Sequence, residues 1–295
     1  MKKIRIFTVL VFILAAAASA FYKVRIRLDS DTTGPVITMD SPTVTVSTGA
    51  GEEELLAGVQ AEDSRDGDVT DSLLVEKLSN FVEKGRRNIT IAAFDSDNNV
   101  TKTTREVVYS DYHSPRYLLD GPLKFPMDSE DIFTVVHAED MLDGDLTEKV
   151  KVSGDNYVDV YTEGEYPILF TVSNSAGDVS ELEVLVEIYD RTKEADKPQI
   201  GLSQYIVYTT VGTPVNPWDY VQQISYRGTD YIREADGVLR DPYAEEGQNI
   251  TYIGENEVSI SSEADYNTPG TYEITYRISL EGSGTGSVRL IAVVE

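Results

Sequence analysis

Beyond its N-terminal segment the chain alternates between apolar and polar positions with a period of two. Tyr166, Ile168, Phe170 and Val172 form one such run, and Tyr272, Ile274, Tyr276 and Ile278 form another. Successive side chains of a strand point to opposite faces, so each set lines a buried face while its polar neighbours meet water. Gly85, Gly164 and Gly270 stand just ahead of such runs. Over residues 114–190 the pattern predicts strands at 132–138, 150–152, 157–160, 165–173 and 179–189, parted by Gly, Asn, Asp and Ser turns. No long amphipathic helix is present to carry crossovers, so antiparallel sheets packed as a sandwich are expected.

The start of the chain has a different pattern. Lys2, Lys3 and Arg5 precede a charge-free run from Ile6 to Tyr22, which ends in the small residues Ala15 to Ala20. This is the composition of an export signal, and residues 1–28 read as a signal anchor or a signal peptide. As an anchor it would hold the chain in the cell membrane in a single pass. As a signal peptide it would be cut after Ala18-Ser19-Ala20, at a small-x-small pattern. Lys23, Arg25 and Arg27 follow the segment and balance the basic residues before it, so orientation rests on the long acidic remainder, which is expected outside the cell.

Internal repetition fixes the organisation. Ala61-Glu62-Asp63-Ser64-Arg65-Asp66-Gly67-Asp68-Val69-Thr70 recurs as Ala138-Glu139-Asp140-Met141-Leu142-Asp143-Gly144-Asp145-Leu146-Thr147, 77 residues on. That period is too long for a solenoid repeat and matches one small domain. Pro35, Pro115 and Pro198 open the units, each behind a polar stretch of turn-forming residues. The expected layout is a linker at 29–33 and domains at 34–111, 114–190 and 197–295. The third lacks the Asp-Gly-Asp turn and carries extra sequence between Tyr226 and Tyr252, expected as a hairpin or a long loop.

Charge and composition narrow the function. The chain has 51 acidic against 25 basic residues, a net charge of -26, and such a field repels nucleic acid. With no cysteine, disulfides, thiolate metal sites and cysteine nucleophiles are excluded.

The Asp-x-x-Asp-Gly-Asp segments carry the most chemistry, because three carboxylates within six residues offer oxygens to calcium. Counting twelve residues from Asp63 or Asp140 ends at Leu74 or Lys151, so the closing glutamate of an EF-hand loop is missing both times. An Asp-Gly turn with a φ > 0 glycine, its aspartates bonding nearby amides, is the plainer reading. Asp63, Asp66, Asp68, Asp140, Asp143 and Asp145 are therefore expected to shape turns, with calcium as the alternative. His137 aligns with Gln60 of the first repeat and is out of phase with Val136 and Ala138, so it is expected as an exposed strand residue; His113 lies in a linker. No catalytic triad can be assembled, no cofactor is implied, and no enzyme is expected. Trp218, Tyr226, Tyr231, Tyr243 and Tyr252 fall in the third domain, where most aromatics are expected in the core and some in a binding patch for a glycan or protein. Asn88, Asn99 and Asn249 stand in Asn-x-Thr sequons, relevant only in a host that glycosylates them.

The second unit resembles the bacterial immunoglobulin-like domains first noted in pesticidal crystal proteins and akin to hyalin-type repeats. The likeness rests on Ala138-x-Asp140-x-x-Asp143-Gly144-Asp145-x-Thr147, on Val158-Asp159, on Gly164-x-Tyr166-x-Ile168-x-Phe170-x-Val172, and on Asn174-Ser175-Ala176-Gly177-Asp178. The first unit keeps the Asp63 to Thr70 segment but has Asp95-Ser96-Asp97-Asn98-Asn99 in place of the last; the third keeps mainly its final strands. The resemblance implies tandem immunoglobulin-like antiparallel β-sandwich domains, an all-β fold behind the N-terminal helix. It also implies a spacer or adhesive surface role with no catalytic residues.

Overall fold

A computed structural model describes residues 2–29, 31–154, 157–244 and 252–295. Strands hold 47% of the residues against 15% in helices, and most of the helix is the N-terminal α1 (Lys2–Asp29), so the folded part is all-β. The chain divides into two compact units, Met1–Tyr112 and His113–Glu295.

In the first unit α1 is followed by one sandwich. Its strands are β1 (Val36–Met39), β2 (Thr43–Val46), β3 (Val59–Asp63), β4 (Gly67–Asp68), β5 (Leu74–Glu83), β6 (Arg86–Phe94) and β7 (Val100–Tyr109). They form two sheets, ordered β1-β3-β4 and β2-β7-β6-β5. The period of two appears directly in β3, where Val59, Ala61 and Asp63 are buried and Gln60 and Glu62 exposed. Ile89, Ile91, Ala93 and Val107 are buried on the second sheet.

The second unit holds two sandwiches. The first of these uses β8 (Arg116–Leu119), β9 (Lys124–Pro126), β10 (Val136–Asp140), β11 (Gly144–Asp145), β12 (Lys151–Ser153), β13 (Gly164–Ser173) and β14 (Val179–Tyr189), ordered β11-β10-β8 and β12-β13-β14-β9. This is the layout of the first sandwich again. The other uses β15 (Gln199–Leu202), β16 (Ile206–Thr209), β17 (Val221–Tyr226), β18 (Thr229–Arg233), β19 (Leu239–Arg240), β20 (Tyr252–Ile253), β21 (Val258–Ser262), β22 (Gly270–Ser279) and β23 (Thr285–Val294). Its sheets run β15-β17-β18-β19-β20 and β16-β23-β22-β21. The extra sequence after Tyr226 is thus a set of hairpins that widens one sheet.

The two sandwiches of this unit share apolar contacts. Ile206 and Ile291 of the third belong to the cluster built around Tyr117, Ile168, Phe170 and Val186 of the second. The Tyr208 hydroxyl accepts the Tyr117 N–H at 2.6 Å. Arg116 pairs with Glu295 and lies 4.8 Å from the Tyr208 ring. The third sandwich has its own core of Trp218, Val221, Ile224, Leu239, Tyr276 and Leu290.

Three details depart from the sequence pattern. The sheets are antiparallel except for one parallel pair per sandwich: β2 with β7, β9 with β14 and β16 with β23. In the first two cases a proline, Pro42 or Pro122, stands where the opening strand breaks off, and its missing N–H ends one ladder so that the chain resumes beside the last strand of the other sheet. Residues 132–135 are turn rather than strand, with Thr134 N on Asp131 O and Val136 N on Phe133 O, although Ile132 remains buried. Residues 157–160 form no ladder either; Val160 O accepts Asp128 N at 3.0 Å, and Asp159 Oδ1 accepts Tyr161 N at 3.0 Å in an Asx turn.

Candidate functional site

The acidic segments sit at matching places in the first two sandwiches, and each carboxylate has a definable task. Asp63 Oδ1 accepts the N–H groups of Arg65 and Asp66 at 2.8 and 3.0 Å. Asp140 Oδ1 does the same for Leu142 and Asp143 at 2.9 and 3.1 Å. Gly67 and Gly144 take φ of 75° and 72°, which only glycine adopts freely, and let the chain reverse into β4 and β11.

The second aspartate reaches across to the hairpin that follows β6 or β13. Asp66 Oδ2 accepts Ser96 N at 2.8 Å, and Asp143 accepts both Ser175 N and Ser175 Oγ at 2.6 Å. The third makes an Asx turn that leads into the short helical turn beyond. Asp68 Oδ1 accepts Thr70 N at 2.9 Å and Asp145 Oδ1 accepts Thr147 N at 2.8 Å. Thr70 and Thr147 return the favour to the strand, their hydroxyls accepting Ala61 N and Ala138 N.

These bonds favour the charged carboxylates. Asp66 lies below the ordinary aspartate range through Ser96, and Asp68 and Asp145 through Thr70 and Thr147. Burial pushes Asp143 up, but hydrogen bonds from Ser175 and the Lys149 ammonium outweigh it and leave it lowered. Asp66, Asp68, Asp143 and Asp145 each accept at least one hydrogen bond from the turn or the neighbouring hairpin.

The hairpins behind the turns differ. In the second sandwich the buried Asn174 accepts Ala176 N and Asp178 N through Oδ1 and donates Nδ2–H to Asp140 Oδ2 at 3.1 Å. In the first, Asp95 takes that place. Its Oδ1 accepts Asn99 N at 2.8 Å and its Oδ2 accepts Asn99 Nδ2 at 2.7 Å, but it has no donor for Asp63. Asp63 Oδ2 is fully enclosed and without a hydrogen-bond partner. The linker residue Asp31 closes the group: one carboxylate oxygen each of Asp31, Asp63 and Asp95 lies within 4.8 Å of the others. Sequence reasoning missed this set because its members come from a linker, a strand end and a hairpin.

The histidines are placed more closely than their separation suggests. His137 and His113 line one open hollow of about 530 Å³ with Asp140 and Asp145, and a hollow of about 790 Å³ occupies the matching face of the first sandwich beside Gln60. His137 is about one-third exposed, with Nε2 2.9 Å from Asp120 Oδ2, an ion-pair distance at which the angle misses that of a hydrogen bond. His113 Nδ1 meets the Ser114 carbonyl at 2.8 Å.

Most of the third domain's aromatics are core. Trp218 and Tyr231 are buried, with the Arg233 guanidinium 5.2 Å from the Trp218 ring. Tyr243 and Tyr252 are exposed, at 88% and 59%. A charged cleft of about 320 Å³ between the second and third sandwiches was not foreseen; Lys124 pairs there with Glu187 and Glu194 at 3.2 and 3.1 Å, and Arg289 with Glu273 at 3.4 Å. Of the sequons, Asn99 has its amide bound by Asp95 and the Asp31 carbonyl, and Asn249 lies outside the described residues.

The repeated two-sheet layout and the acidic turn together define the second sandwich. Residues 133–188 match the family model described as bacterial surface protein, Ig-like domain. With the same topology in the first sandwich, the chain carries tandem immunoglobulin-like domains. No curated protein matches the sequence. Among solved structures, the protocadherin GammaB4 extracellular domain is 14% identical, over 90% of this chain and 50% of that one, with a TM-score of 0.20. The M60 catalytic domain with CBM51-1 and CBM51-2 of Clostridium perfringens ZmpB is 12% identical, over 90% of this chain and 31% of that one, at 0.22. The lipoprotein BT2262 of Bacteroides thetaiotaomicron is 17% identical, over 60% of this chain and 98% of that one, at 0.23. Superpositions this loose carry no argument about function.

Proposed function

We propose that this chain is a non-enzymatic surface protein, held in the bacterial membrane by α1 and presenting its immunoglobulin-like domains outside the cell as a spacer and adhesive module. The observation that carries this reading is the contrast between α1 and the rest. Phe7–Arg25 is long and apolar enough to cross a membrane, and none of it is buried by the fold. Phe7, Phe12 and Leu14 are each at least two-thirds exposed, whereas the sandwiches enclose Ile89, Ile91, Ile168, Val186 and Ile274. A bare apolar helix of this length finds its solvent in a bilayer.

The adhesive part of the reading rests on the third sandwich. Tyr243 and Tyr252 present large rigid side chains at the widened edge of its five-stranded sheet, where aromatic side chains bury much area at low entropic cost. The partner class is a surface glycan or protein. Asp66, Asp68, Asp143 and Asp145 are hydrogen-bonded within the turns, which supports a binding module over an enzyme.

Expression of the full chain in a Gram-positive host tests the anchor. The protein is expected in the membrane fraction and open to protease added outside intact cells. Quantitative release into the medium with a new N-terminus at Phe21 would replace the anchor with a cleaved signal.

A further inference from the structure

From the arrangement around Asp63 we infer that the first sandwich binds one calcium-class divalent cation through Asp31, Asp63 and Asp95, and that the second sandwich has no such site. The ligand set differs from the Asp-Gly-Asp turn, of which only the leading Asp63 takes part. Two observations carry it independently. Oxygens of three carboxylates lie within 4.8 Å of one another, close enough that small side-chain rotations bring all three to the roughly 2.3–2.6 Å at which calcium takes its oxygens. Asp63 Oδ2 is enclosed, at 3% residue exposure, and has no hydrogen-bond partner. A buried carboxylate oxygen with no donor is costly, and a second buried carboxylate beside it adds like-charge repulsion.

The second sandwich supplies an internal control. Asp140 repeats the Asp63 turn bond for bond, and its Oδ2 receives the Asn174 amide at 3.1 Å. Asn174 and Asp95 hold equivalent positions: each opens the hairpin after its strand, bonds to the residue four further on through Oδ1, and pairs its own N–H with that residue's carbonyl. One hairpin therefore brings a donor to the buried oxygen, and the other brings a second negative charge. The exposed Arg65 guanidinium pairs with Asp97 at 3.0 Å and also acts on Asp31. An oxygen-only, triply anionic set selects a hard ion, and the exposed side of Asp31 leaves room for water to complete its shell. Binding would fasten the linker just beyond α1 to the base of the first sandwich. This inference is independent of the adhesive reading.

The test uses the full chain in detergent, melted in chelator, in calcium, in magnesium and in sodium chloride at matched ionic strength. Calcium at a hundredfold excess over Kd is expected to raise the first sandwich's far-UV melting midpoint by about 10 °C, while the unit containing Trp218, followed by its fluorescence, moves no more than in sodium chloride. Asp95→Asn is expected to abolish the calcium shift and to raise the midpoint in chelator, because it installs the donor found in the second sandwich. Asp68→Asn, outside the set, is expected to keep the shift. An unmoved wild-type midpoint overturns the site, even if Asp95→Asn is stabilising. A calcium shift that survives in both Asp63→Asn and Asp95→Asn overturns it as well, and a shift equally large in magnesium overturns the choice of ion.

Discussion

The first and second sandwiches are two solutions of one layout, and they differ in what they bury. Ile89 and Ile168, Ile91 and Phe170, Ala93 and Val172, and Arg105 and Val184 stand at matching ladder positions, a constant 79 residues apart. The second fills its inner face with Phe170, Val172 and Val184, and Phe133 meets the Phe170 ring edge-on at 5.2 Å. The first uses smaller residues and encloses Arg105, whose guanidinium donates to the Leu55 and Ala57 carbonyls at 3.0 and 2.7 Å. Burial lowers its pKa. Counting Asp63 and Asp95, the first sandwich buries three acidic or basic side chains where the second buries Asp140 and the neutral Asn174. The fold tolerates this because the polar groups sit where backbone carbonyls and turn amides already need partners. A shared topology therefore does not imply a shared source of stability.

The largest effect is expected at Phe170. Phe170→Ala empties the centre of a dry core and should cost about 3–5 kcal/mol. The loss is read as a lower denaturant midpoint in the fluorescence of Trp218, the sole tryptophan, because the second and third sandwiches share the Ile206 and Ile291 contacts. An unmoved Trp218 transition would show that these shared contacts do not couple the two sandwiches.

Arg105→Met comes next. The substitution keeps much of the volume but leaves two enclosed carbonyls without donors, and a loss of about 1–3 kcal/mol is expected in thermal or chemical unfolding followed by circular dichroism. A stabilised variant would sharpen the comparison in the other direction, by showing that the first sandwich bears a buried charge it does not need.

The smallest effect is the pH response that the two repeats have in common. Asp66, Asp68, Asp143 and Asp145 all lie below their unfolded values. The stability they contribute is present above the unfolded aspartate pKa of about 3.9 and is lost as pH falls through the lower folded values. Melting midpoints should be flat from pH 7 to about 5 and fall together below about 4. A decline confined to one repeat would show that the matching turns are not equivalent.

Much of this was legible in the sequence, for reasons that are local. The Asp-Gly-Asp turn, the φ > 0 glycine and the strands 165–173 and 179–189 depend on residues within a few positions of one another, and they appear as read. The buried environment of Asp63 does not, because Asp31 and Asp95 reach it from distant segments. His113 and His137 share a hollow for the same reason. The segments 132–135 and 157–160 have strand-like composition, yet turn bonds to Asp131 and Asp159 compete with the ladder and win. The parallel pairs were hidden because period two shows which face a residue takes and is silent on strand direction.

Those parallel pairs bear on how such a protein would withstand pulling. Where the opening strand of a sandwich lies beside its closing strand and runs the same way, as β2 does with β7 and β9 with β14, the chain enters at one end and leaves at the other. Tension applied between the two ends of the sandwich then acts along both strands in opposite senses. The bonds between them, including Glu106 N to Pro42 O and Ser110 N to Val46 O at 2.9 Å, or Glu187 N to Leu123 O at 2.9 Å and Met127 N to Tyr189 O at 2.8 Å, lie across the pull and resist in shear, all at once, where a hairpin pulled from its open end would unzip bond by bond.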